Sequence, residues 1–167
     1  MNTYYLFLLI AVYMIGNLIT DIKTLKTKNF WHLLFLLVYF IIGGIVFKNV
    51  LLLFVSMLLG FLMGCIMSKL PHSTLGAGDI KMLIVVTVFE QLIKINSNPL
   101  LVVSIVFSIY IVVSFVHMSI YKTVWILTKG KVKFHSYSIS NREVITPEAV
   151  PIFLTVILIN ISIINVA

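Results

Sequence analysis

Six nearly unbroken apolar segments are what this 167-residue chain has to accommodate. They run from Thr3 to Thr20, Phe30 to Phe47, Val50 to Ser68, Ile80 to Ile95, Leu100 to Ile120 and Ala149 to Val166. A helix needs about 20 mostly apolar residues to cross the roughly 30 Å hydrocarbon layer, and about 17 suffice. Inside that layer backbone polar groups must pair within their own segment, so each run is expected to be a helix. The composition agrees, with 61% apolar residues, 10% charged residues and a mean hydropathy of +1.16. Soluble domains carry about 25% charged residues. The expected fold is therefore all-α: a polytopic membrane protein of about six transmembrane helices, forming one domain over residues 1–167. Cys65 is the sole cysteine, which excludes a disulfide scaffold and a thiolate zinc site. Met1 to Tyr5 lacks the basic start of a secretory signal peptide, so none is expected.

Polar residues punctuate the runs at Lys23 to Asn29, Lys69 to Gly78, Asn96 to Pro99 and Tyr121 to Glu148. With the N-terminus outside, residues 22–29, 69–81 and 121–148 face the cytoplasm. Those stretches hold Lys23, Lys26, Lys28, Lys69, Lys81, Lys122, Lys129, Lys131, Lys133 and Arg142, ten of the twelve basic residues; Lys48 and Lys94 are the others. Cytoplasmic loops of membrane proteins are basic, so the bias predicts an N-out, C-out chain. It also accounts for the net charge of +7 without a nucleic-acid partner. Gly60 and Gly64, four apart in the third run, suit close helix packing. Trp31 and Trp125 suit the aromatic belt at the membrane interface.

The chain has two aspartates, Asp21 and Asp79, and this topology puts both at the cytoplasmic edge of a run. Asp21 ends the first and Asp79 begins the fourth, so the two carboxylates meet if those helices are neighbours. Each stands in an Asp-Ile-Lys tripeptide whose lysine can snorkel to the headgroups. Taken singly, Asp79 is a helix cap and Asp21 a solvated end residue. Both on one side, at a boundary where desolvating an acid is costly, they read as a functional pair. Gly76 and Gly78 free the backbone before Asp79 to leave helical geometry, so that an extended peptide can lie against it. Like charges a few ångströms apart cannot both ionise, so one carboxyl keeps a proton while the other activates water, the machinery of aspartyl proteolysis. His72 is the alternative partner, for a metal site with the aspartates, although no second shell is evident for it. Glu90, Glu143 and Glu148 receive no role; Glu90 lies within a run and needs a polar neighbour.

Leu75-Gly76-Ala77-Gly78-Asp79-Ile80-Lys81-Met82-Leu83 resembles the G-x-G-D-x-K-L motif of the type IV prepilin peptidases, which belong to the GxGD aspartic proteases. Asp21-Ile22-Lys23, with Asn29 eight residues after the aspartate, is similar to that family's first motif, an Asp ending the first span followed by a basic residue and Ile-Pro-Asn. Thr27-Lys28 stands where the family usually has Ile-Pro. Pro151 resembles a proline the family often carries at the start of the last span. The resemblance implies a membrane endopeptidase with Asp21 and Asp79 catalytic and Gly76 and Gly78 binding substrate. It would remove the short basic leader of prepilins or prepilin-like proteins at the cytoplasmic face of the cell membrane, with no metal or other cofactor. Larger members add a methyltransferase domain between the first two spans, for which residues 22–29 leave no room. The competing class is a small transporter or channel that binds a proton or cation with the paired aspartates; such proteins usually place their acids near the midplane and often show inverted repeats.

Overall fold

The structure, a computed structural model, describes residues 3–70, 75–128, 138–140 and 143–164. Its elements are α1 (Thr3–Thr24), α2 (Asn29–Ile42) continued by a π-helical turn (Gly43–Phe47), α3 (Val50–Ser68), α4 (Ala77–Ile93), α5 (Pro99–Leu127), the strands β1 (Ser138–Ser140) and β2 (Glu143–Ile145), and α6 (Ala149–Ile164). Each of the six runs forms a helix. The two strands pair antiparallel, with Ile139 opposite Val144, within the stretch expected as loop. Four helices are long and apolar enough to cross a membrane: Tyr4–Thr24, Asn29–Phe47, Val50–Ser68 and Pro99–Leu127. α4 has 17 residues, and α6 is a shorter apolar helix. Large apolar side chains such as Leu51 and Phe115, each 72% exposed, cover the outside, as a bundle solvated by lipid requires.

Helix ends depart from the expected ones in three places. α1 runs four residues past Thr20 and stops at Leu25, whose left-handed φ of 52° ends the helix while its N–H bonds to the Asp21 carbonyl at 2.8 Å. α5 runs on from Ile120 to Leu127. α4 begins at Ala77, so Gly78 and Asp79 lie in its first turn instead of before it.

α4 is the axis of the bundle and touches every other helix. From Met82 to Leu92 all its residues are buried, as those of a helix surrounded by others should be. The polar residues in that stretch find partners. Glu90, fully buried, accepts hydrogen bonds from Asn160 on α6 and from Lys94 one turn on. Gln91 accepts from Ser56 on α3 at 2.9 Å. α3 comes closest to α4 through its glycines, since a Cβ at Gly64 would lie 2.6 Å from Ile80 Cγ2 and one at Gly60 3.4 Å from Thr87 Oγ1.

Candidate active site

Asp21 is in the last turn of α1 and is 4% exposed, although Ile22, Lys23 and Thr24 beside it face outward. Its Oδ2 accepts the backbone N–H of Ala149, the first residue of α6, at 2.9 Å. A carboxylate there satisfies one of the free N–H groups of α6 and meets the positive end of its dipole.

Asp79 stands in the first turn of α4, one residue before the expected fourth span. Its Oδ2 accepts the N–H of Gly76, the N-cap, at 2.8 Å, which is half of a capping box. The N-cap is Gly76, where the sequence allowed Asp79, and from the third helical position Asp79 fills a capping role. It does not exhaust the residue, because burial, followed by the nearby charges of Asp21 and Glu148, pushes its carboxyl up to about 7 from 3.8, against the lowering effect of the Gly76 hydrogen bond. At neutral pH such a group is present in both protonation states.

Glu148 was assigned no role from the sequence, and it belongs to this cluster. It is 3% exposed, and its backbone carbonyl accepts from Ile152 to start α6. Its Oε2 accepts from Tyr110 Oη at 2.7 Å and Ser114 Oγ at 3.3 Å, both on α5, and its Oε1 accepts from Thr146 Oγ1 at 3.4 Å. The signal in the sequence was its place: a third acid at the edge of a run, on the side where the charge count puts Asp21 and Asp79. Among the described residues no three His, Cys, Asp or Glu side chains converge tightly enough to share a metal ion. Asp79 lies near enough to Asp21 and Glu148 to feel both charges. His72 lies outside the described residues, as do Lys129, Lys131, Lys133 and Arg142.

The two motif regions meet. Lys81 Nζ donates to Asn29 Oδ1 at 2.7 Å, and a Cβ on Gly78 would lie 2.6 Å from Thr27 Oγ1. Gly78 is therefore glycine because the α1–α2 loop presses on it, while its backbone is helical; Gly76 alone is extended, at φ −83° and ψ 167°. The loop itself is held from inside: Thr27 Oγ1 bonds His32 Nε2 at 2.9 Å, and His32 Nδ1 bonds Tyr13 Oη at 2.7 Å. No family model, curated protein or solved structure matches the chain.

Proposed function

We propose that the chain is a membrane aspartyl endopeptidase of the prepilin-peptidase kind, with Asp21 and Asp79 as its catalytic pair and Gly76 and Gly78 on the substrate side. The observation that carries the reading is that the two motif regions meet, with Lys81 bonded to Asn29 and Gly78 against Thr27, while Asp21 binds the N-terminus of α6 and Asp79 is buried close enough to feel its charge. In this reading Asp79 holds the shared proton and Asp21 is ionised. Asp21 takes a proton from a water whose oxygen attacks the scissile carbonyl carbon, and Asp79 gives its proton to the carbonyl oxygen. When the tetrahedral intermediate collapses, the C–N bond breaks, Asp21 returns its proton to the leaving nitrogen, and Asp79 recovers one from the intermediate's hydroxyl.

All six apolar runs span the cell membrane in this account, with both termini outside and the aspartate pair just beyond the runs at the cytoplasmic face. The substrate is then a prepilin or prepilin-like protein whose leader is cytoplasmic. Co-expression with candidate prepilins tests it: a gel shift from loss of the leader is the expected result. If no candidate is cut, proton or cation binding by the pair becomes the better account.

A further inference from the structure

The α1–α2 loop carries one hydroxyl whose hydrogen-bond geometry points outward to a ligand. Tyr13 is fully buried, and its phenol meets His32 Nδ1 at 2.7 Å. A phenolic hydrogen enclosed this way needs an acceptor, and Nδ1 supplies it, which leaves Nε2 carrying the ring proton. The Nε2–H then donates to Thr27 Oγ1 at 2.9 Å. Thr27 thus spends an acceptor site on His32 and keeps its own hydrogen. Among the described residues nothing takes that hydrogen up. Thr27 is half-buried, its Oγ1 lies against the face of Gly78, and Gly78 directly precedes Asp79.

We propose that Thr27 is a substrate-binding hydroxyl, oriented by the buried Tyr13–His32 pair to donate to a backbone carbonyl of a peptide lying along Gly76–Gly78. This rests on the endopeptidase reading and adds to it a residue where the resembling family usually has isoleucine. The proline usual at the next position, Lys28 here, shapes such a loop through its fixed φ. Here a histidine holds the loop, and the side chain it holds is a donor.

The test is cleavage kinetics in detergent, using a prepilin that the wild-type protein cuts in the co-expression assay. Thr27→Val keeps the shape and removes the hydroxyl; Thr27→Ser keeps the hydroxyl. One hydrogen bond predicts a loss of about tenfold in kcat/KM for Thr27→Val and near wild-type cleavage for Thr27→Ser. His32→Phe should fall to the Thr27→Val level, and adding it to Thr27→Val should cost little more, because both act through one hydroxyl. Melting temperatures that match for the valine and serine variants separate the donor from loop packing. Should His32→Phe fail to insert, the Thr27 pair decides alone. Equal cleavage by Thr27→Val and wild type overturns the inference, as does a serine variant as slow as the valine one, while the endopeptidase reading survives either result. A wild-type protein that cuts no prepilin removes that reading and this inference with it.

Discussion

Asp79 owes its properties to burial beside two other acids, and this has consequences for pH. Its folded-state pKa of about 7 lies above its ordinary value of 3.8, so the folded protein binds a proton that the unfolded chain has released. The stability associated with that proton is complete below pH ~4 and is lost as pH rises to about 7. The protein should therefore melt higher at pH 5 than at pH 8, and Asp79→Asn should reduce the difference; thermal unfolding in detergent at both values checks this. Glu148 adds to the raised value, and its removal works in the opposite direction. Glu148→Gln retains an acceptor for Tyr110 and Ser114 but deletes a charge, so the alkaline limb of the cleavage profile should move to lower pH. An unmoved limb in a full pH profile would dissociate Glu148 from the pair.

At the scale of elements, closeness of packing is testable at three glycines. Gly64→Ala would drive a Cβ to within 2.6 Å of Ile80, a β-branched residue with little freedom to retreat, and should cost about 1–3 kcal/mol. Gly16 has nothing within 4 Å, so Gly16→Ala should be neutral or gain up to about 1 kcal/mol from helix propensity. Gly78→Ala would push Thr27 off its place and should reduce cleavage more than it reduces stability. Melting temperatures and cleavage rates of the three variants give the comparison. The helices themselves were legible in the sequence because apolar runs separated by polar residues leave few alternatives. α4 shows what a hydropathy argument misses: Thr87, Glu90 and Gln91 make it polar for a span, yet it meets protein on all sides, where partners satisfy them. That Asp21 and Asp79 come near one another was legible because they are the chain's two aspartates and each stands at the edge of an apolar run. Glu148 and the Tyr13–His32–Thr27 chain were not, because their significance depends on which helix ends meet, and no spacing in the sequence encodes that.

For the whole molecule, the central claim places both carboxyls on the cytoplasmic side. Reporters that work only outside the cytoplasm should be active when fused after Lys48 or Asn96 and inactive after Lys26 or Lys131. The reverse pattern would leave the ten-to-two bias of basic residues without a cause and remove the argument for cytoplasmic leader cleavage. The connection of α1 to α2, residues 25–28, is too short for a second catalytic domain, so a pilin processed in a reconstituted system should be cut but not N-methylated. Mass spectrometry of its new N-terminus checks this. The most direct measurement is cleavage of a purified prepilin in detergent by Asp21→Asn, Asp79→Asn and the double variant, each first shown to be membrane-inserted. Because water activation and carbonyl polarisation need both members, each single variant should be inactive and the double no worse than either. Normal cleavage by both single variants would contradict the account, and near wild-type activity of Asp21→Asn beside a dead Asp79→Asn would break the pair.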